Sequence, residues 1–342
     1  MRMKSARHFV AFGMLAAILL AAAQSIQAAG ETFRDIVFVG YSERSSSAEL
    51  ARRMLSPLAA LQLKRQMARE GKQMVEQPIK LSEEKFSVYV PSLRPARDYA
   101  LLVFVPPWED ARLPPGWTPV LDRYGVIFVS AARSGNDESV FDRREPLALL
   151  AAHNAMQRYP VDPERVYISG FSGGARVALR LALGYPDVFR GAFLNAGSDP
   201  IGDAKIPIPP KELFLRFQST HVVYVTGEGD TSQLNEDLSS MHSMKKWCVF
   251  DVQSHVVRSG GHEVADSTAL AWALNVLMQD ARPDFNKLGA CRLAIEQELN
   301  IKMQELDSLA AAGHDDEAQK LLLKIDGHFG GLAAPRSIEL AH

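Results

Sequence analysis

Cysteine is scarce in this chain: Cys248 and Cys291 are the only two in 342 residues. One disulfide at most can form, tying a late strand to a C-terminal helical tail, or else two separate thiols remain, one of them buried in a strand. The nine histidines show no spacing with cysteines or carboxylates that resembles a zinc site. An excess of one charge is also missing. Lys+Arg 38 against Asp+Glu 40 gives a formal net charge of −2, without a basic tract, so nothing points to a nucleic-acid partner. Low-complexity blocks are absent, and the composition is that of an ordinary globular protein. The length fits one large α/β domain plus a smaller appendage.

The N-terminus stands apart from the rest. Arg2, Lys4 and Arg7 form a basic region, an apolar run follows over 9–23, and small residues over 21–30 occupy plausible cleavage positions. A run of about 15 residues is short for a bilayer, which needs ~20. The segment 1–29 is therefore expected to be a signal peptide, with an uncleaved signal anchor as the alternative. No cysteine lies near the cleavage region, which argues against a lipid-anchored product. A periplasmic or secreted location follows, with no stable membrane insertion after cleavage.

Residues 30–85 read as an N-terminal extension that is mainly helical. It carries one β-like run over 35–39 and a helix or helix pair over 48–74, with apolar positions near a 3.6-residue spacing. From 86 to 282 apolar strand-like runs alternate with helical ones. Strands are predicted over 86–90, 100–105, 125–130, 166–169, 191–196, 221–226 and 247–255. Helices are predicted over 146–159, 175–183 and 267–278. That alternation implies a mostly parallel sheet covered on both faces, an α/β sandwich. The tail, 283–342, reads as a helical hairpin over 288–311 and 317–325. Either it caps the main domain, or it offers an arm to a protein partner; one hairpin alone cannot make a solenoid.

The chemistry concentrates at Gly170-Phe171-Ser172-Gly173-Gly174. This Gly-x-Ser-x-Gly stretch lies between a β-prone run and a helical one, the context of a nucleophile elbow. There a tight strand-to-helix turn pushes a serine into positive φ and out of the sheet. The N–H of Gly173, at the start of the helix, can then point at a developing oxyanion.

A serine hydroxyl needs a base, and the base needs a carboxylate to fix its tautomer. With an elbow these follow in the order Ser, Asp or Glu, His. His262 is the base candidate, because Gly260-Gly261-His262 lies in a glycine-rich loop between the last strand and the last helix. His255 fits a structural role in the strand, and His221 begins a strand at the opposite edge. His153 lies in a helix, and His242 in a helical or loop run. Asp230 is the acid candidate, directly after the 221–226 strand, with Glu228 as its competitor in the same loop; Asp237 reads as solvated. The second oxyanion donor should come from the loop after 100–105. There Pro106 and Pro107 have no N–H to give, which leaves the backbone N–H of Trp108 as the nominee. The Trp108 indole is placed to line an acyl or aromatic pocket, or to cover the sheet edge.

With those residues in hand, 86–278 resembles the α/β-hydrolase superfamily. More narrowly it is similar to secreted esterases of the polyhydroxybutyrate depolymerase and feruloyl-esterase type. The likeness rests on Asp162-Pro163-Glu164-Arg165-Val166-Tyr167 leading into the elbow, Tyr185-Pro186-Asp187, the Gly227 to Asp230 loop, and Gly261-His262. It departs at Pro106-Pro107-Trp108, where that group usually has histidine and glycine. The resemblance implies Ser172 as nucleophile, Asp230 as acid and His262 as base, with Gly173 and Trp108 at the oxyanion. It implies an α/β-hydrolase fold, a small-molecule or polymeric ester as substrate, and no cofactor. A peptidase or amidase on the same fold is one alternative. The other is a catalytically degenerate hydrolase serving as an envelope binding or scaffolding protein.

Overall fold

The apolar run around residue 102 sits where its composition demands, at the middle of a sheet. The computed structural model describes residues 30–280 and 284–341, so the expected signal peptide lies outside them. Among the described residues, eight strands form one sheet. They are β1 (Glu31–Ile36), β2 (Phe86–Val90), β3 (Tyr99–Val105), β4 (Val126–Ala131), β5 (Val161–Phe171), β6 (Gly191–Asn195), β7 (His221–Gly227) and β8 (Val252–Val257). Their spatial order is β1-β2-β4-β3-β5-β6-β7-β8. β2 runs antiparallel to both β1 and β4, and each pairing from β4 to β8 is parallel. This is the α/β-hydrolase architecture that the resemblance implies.

Side chains alternate across the pleat, so a central strand feeds two cores at once. Leu101, Val103, Ile127 and Val129 face one core, which is closed by α4 (Glu145–Arg158) and α5 (Gly173–Gly184). Leu102, Phe104 and Phe128 face the other. That second core is closed by Trp117, by the short α3 (Thr118–Tyr124) that follows it, and by α8 (Ser267–Leu277). Trp117 is fully buried, and its indole N–H donates to the Ala265 carbonyl at 2.8 Å. No helix among the described residues is long and apolar enough to cross a membrane.

Several expected elements move. The first strand is Glu31–Ile36 rather than 35–39, because its partner register runs along β2 from Val90 to Phe86 and is broken by an irregularity before Ile36. Asp35 takes a positive φ there, and Phe38 turns inward onto Phe86, ring centroids 4.7 Å apart. The 48–74 helix is a pair, α1 (Ser47–Met54) and α2 (Pro57–Arg69). Pro57 cannot continue a helix but can start one, and the Ser56 hydroxyl accepts from the Ala59 N–H to cap it.

α6 (Lys211–Phe217) lies where the sequence pattern predicts no helix, and α7 (Thr231–Lys246) settles as helix the run around His242 that the sequence leaves open between helix and loop. α7 displaces the start of the last strand. Trp247 ends α7 and is buried against Phe214 and Phe329, so β8 begins only at Val252. The tail forms α9 (Phe285–Ala311), α10 (Asp315–Phe329) and a short α11 (Arg336–Glu339). Leu306, Leu322, Ile325 and Phe329 join the same core as the sheet. Asp326 accepts hydrogen bonds from Ser56 and from the Leu58 N–H, linking α10 to the start of α2.

The two cysteines are bonded to each other. Cys248 lies in the turn after α7, at a positive φ, and not in a strand, so the bridge ties that turn to α9.

Candidate active site

Parallel strands deliver their C-terminal ends to one rim, and the three residues singled out by chain order all follow such ends. Ser172 comes directly after β5, Asp230 follows β7, and His262 follows β8.

At Ser172 the backbone has φ 54 and ψ −123. A non-glycine residue at positive φ is strained by roughly 1–3 kcal/mol, and the surroundings hold it there. The Ser172 N–H still pairs with the neighbouring strand, donating to the Asn195 carbonyl at 2.8 Å, while its carbonyl already accepts from the Ala175 N–H at 3.0 Å. One residue thus ends the strand and opens the helix. The turn is possible because a Cβ on Gly170 would collide with the Gly174 backbone, and one on Gly174 would collide with the Val105 carbonyl. At the start of α5 the N–H of Gly173 has no intrahelical acceptor, as for any first-turn amide.

His262 bridges the other two. Its Nδ1 lies 2.6 Å from Asp230 Oδ2, and its Nε2 lies 3.0 Å from Ser172 Oγ. An ionised carboxylate only accepts, so Nδ1 carries the proton, and Nε2 is left to accept from the serine hydroxyl. The Asp230 side chain is 10 % exposed and that of His262 44 %, so the carboxylate is shielded while the imidazole reaches solvent. Asp230 also serves the neighbouring helix, where its Oδ1 caps α7 by accepting from the Gln233 N–H at 3.4 Å. Phe171 packs on the imidazole with ring centroids 4.9 Å apart.

The remaining candidates are placed elsewhere. Glu228 bonds elsewhere: its carboxylate accepts from the Ser259 N–H at 3.0 Å and so braces the histidine loop. Further ties join the same two loops, from the Gly229 N–H to the Gly260 carbonyl at 2.8 Å and from the Glu228 N–H to the Val257 carbonyl at 2.9 Å. Asp237, expected to be solvated, is buried. The hydroxyls of Ser198 and Thr226 each donate to it at 2.6 Å, and burial nevertheless holds its carboxyl above the ordinary range. His255 lies in β8 with its ring stacked on Trp272. His221 begins β7, beside Asp251 and the Gln279 carbonyl. His153 and His242 lie in α4 and α7.

Sequence reasoning missed Asn195. It is buried at the end of β6, donating to the Val225 carbonyl at 3.0 Å and accepting from the Ala265 N–H at 2.6 Å. Its backbone carbonyl accepts from the Ser172 N–H, so through its side chain Asn195 links Ser172 to β7 and to the segment just beyond His262. An asparagine ending an apolar strand is the one signal that could have marked it.

The Trp108 indole packs between Phe104 and Phe171, with centroids at 6.0 and 6.2 Å, and Arg112 stacks over it at 4.5 Å. An apolar wall thus borders the Phe171 side of the imidazole. The loop carrying Pro106, Pro107 and Trp108 is held from outside, with the Pro107 carbonyl accepting from the Asn136 N–H at 3.1 Å. Among the described residues, no group of three or more His, Cys, Asp or Glu is arranged to hold a metal ion.

No family model matches the chain. A poly(3-hydroxybutyrate) depolymerase of Ralstonia pickettii is 29% identical over 98 residues, which cover 25% of this chain and 20% of that protein. The match therefore spans about a fifth of that relative. Among solved structures, an S-formylglutathione hydrolase of Staphylococcus aureus is similar at 12% identity and a TM-score of 0.47, covering 57% of this chain and 93% of that one. A ferulic acid esterase is similar at 19% and 0.44, covering 57% and 92%. Est1E of Butyrivibrio proteoclasticus is similar at 14% and 0.43, covering 58% and 96%. None of these likenesses is close enough to carry an activity across.

Proposed function

We propose that this protein is an exported serine hydrolase that cleaves carboxylic esters through an acyl-enzyme. The observation that supports it most is the position of His262, with one ring nitrogen on the Asp230 carboxylate and the other on the Ser172 hydroxyl. Ser172 Oγ attacks the ester carbonyl carbon while Nε2 takes its proton. Asp230 fixes the tautomer and stabilises the imidazolium that results. The carbonyl oxygen becomes an oxyanion held by the Gly173 N–H, with the Trp108 N–H as the nominated second donor. Collapse breaks the bond to the alcohol, which leaves with the proton from Nε2. Water then repeats the sequence against the acyl-serine, returning the enzyme and releasing the acid.

Export is supported by the basic and apolar start of the chain, and by a disulfide between Cys248 and Cys291 that suits an oxidising compartment. The aromatic wall of Trp108 and Phe171 favours an acyl group with an apolar face. Hydrolysis of short p-nitrophenyl esters tests the reading. Ser172→Ala is expected to abolish turnover while leaving the thermal transition in place. Equal turnover by wild type and variant removes the mechanism, and faster cleavage of p-nitroanilides than of esters points to an amidase.

A further inference from the structure

Two prolines stand where a second oxyanion donor is needed, and the loop packed against them carries an amide with nothing to bond. After β4 the chain folds back over Pro106 and Pro107. Arg133 N–H donates to the Glu109 carbonyl at 2.7 Å, and Asn136 N–H to the Pro107 carbonyl at 3.1 Å. Arg144, buried at the start of α4, clamps both loops from the other side. Its Nε donates to the Ser134 carbonyl at 2.9 Å, and its Nη2 to the Pro106 carbonyl at 3.0 Å. Four hydrogen bonds therefore fix the position of Asn136 relative to the end of β3.

That position is against the residue after the serine. A Cβ built on Gly173 would run into the Asn136 carboxamide, which occupies the space a side chain would fill there. Among the described residues, the carboxamide makes no hydrogen bond of its own, and Asn136 is exposed. A carboxamide with its oxygen nearest and its nitrogen farther off thus lies beside Gly173, whose own backbone N–H is the first oxyanion donor in the reading above.

We infer that Asn136 is a catalytic residue, whose side-chain N–H joins the Gly173 N–H in holding the substrate carbonyl oxygen as it takes up negative charge. This rests on the serine-hydrolase reading. It answers the difficulty raised by the prolines: a side-chain donor from the next loop takes the second place that the reading above gave to the Trp108 N–H. The carboxamide turns about χ2 to offer nitrogen rather than oxygen, two arrangements of nearly equal shape. The clamp by Arg144 fixes the backbone that carries the donor before the substrate arrives, leaving only the side-chain torsions to set.

Asn136→Ala and Asn136→Asp test this, the second keeping the shape while removing the donor. Loss of one such donor costs about 10²–10³ in kcat. Both variants are expected to show that loss on p-nitrophenyl esters, with KM within threefold and an unchanged thermal transition. Aspartate is expected to do at least as much harm as alanine, because it adds a negative charge beside the oxyanion. Affinity for a boronic acid, which forms a tetrahedral adduct on the serine, is expected to fall in parallel. Variants within threefold of an active wild type overturn the inference alone. So does a fall in kcat with boronic acid affinity unchanged, or an Asn136→Asp variant that retains activity while Asn136→Ala loses it, since either marks a packing role. A wild type that neither turns over esters nor reacts with a fluorophosphonate overturns this inference together with the parent reading.

Discussion

Asp230 spends its two carboxylate oxygens on different partners: Oδ2 takes the Nδ1–H of His262 at 2.6 Å, and Oδ1 caps α7 through the Gln233 N–H. Orientation of the His262 ring and the start of a helix are therefore set by one side chain. Asp230→Asn keeps an oxygen for the cap but allows the amide N–H to favour the wrong imidazole tautomer. We expect kcat to fall by about 10⁴ with little change in stability. Asp230→Ala is expected to lose the cap as well, costing about 1 kcal/mol in urea unfolding. An asparagine variant with near-wild-type kcat would show that His262 is oriented by something else.

Glu228 acts one step further out. Its bond to the Ser259 N–H joins the acid loop to the histidine loop. Glu228→Ala removes about 1 kcal/mol of hydrogen bonding. Felt wholly at the base, that is about a fivefold fall in kcat with KM unchanged. Steady-state kinetics decide it, and a fall as deep as that of Asp230→Asn would make Glu228 a partner of the imidazole instead.

The Cys248–Cys291 bridge closes a loop with a sequence separation of 43. Loop-closure entropy for that length is worth about 4 kcal/mol. A Cys248→Ser, Cys291→Ser double variant is expected to unfold at clearly lower denaturant, and added reductant is expected to weaken the wild type only. Since the bridge lies away from the Ser172 rim, kcat on small esters should survive its removal at 25 °C.

His221 gives a pH dependence of known sign. Burial opposes its charging, but the Asp251 carboxylate, the Gln279 carbonyl and the charge of Asp280 together raise its pKa above the ordinary histidine value. A raised folded pKa means that the stabilisation is full below the unfolded value near 6.5 and fades as pH climbs through the folded one. The stability gap between wild type and His221→Gln should therefore be widest on the acid side of neutrality and should narrow above the raised pKa. Chemical denaturation at a series of pH values checks this, and a gap that widens with rising pH contradicts it.

Local signals made the centre of the fold and the order of the site legible. The apolar run at 100–105 needs no context to read as a central strand, and the glycines around Ser172 declare a tight turn. Asp230 and His262 follow from the ends of neighbouring strands. What escaped depends on contacts distant in sequence. Asp237 looks solvated until Ser198 and Thr226 are seen to enclose it. α7 carries few apolar residues, so its periodicity is faint, and Trp247 to Phe250 resembles a strand although Trp247 is buried against α6 and α10. Asn195 and Asn136 have ordinary surroundings in the sequence, and their places beside β6 and Gly173 exist only once the sheet is assembled. The break before α2 was visible as Ser56-Pro57 and needed only the capping rule.

Reaction of the intact protein with a fluorophosphonate, followed by mass mapping of the adduct, reaches the central claim most directly. We predict a single adduct on the peptide containing Ser172, formed at least a hundredfold more slowly in a His262→Ala variant, in line with the loss of a general base. An unmodified Ser172, or an adduct whose rate ignores His262, would contradict it.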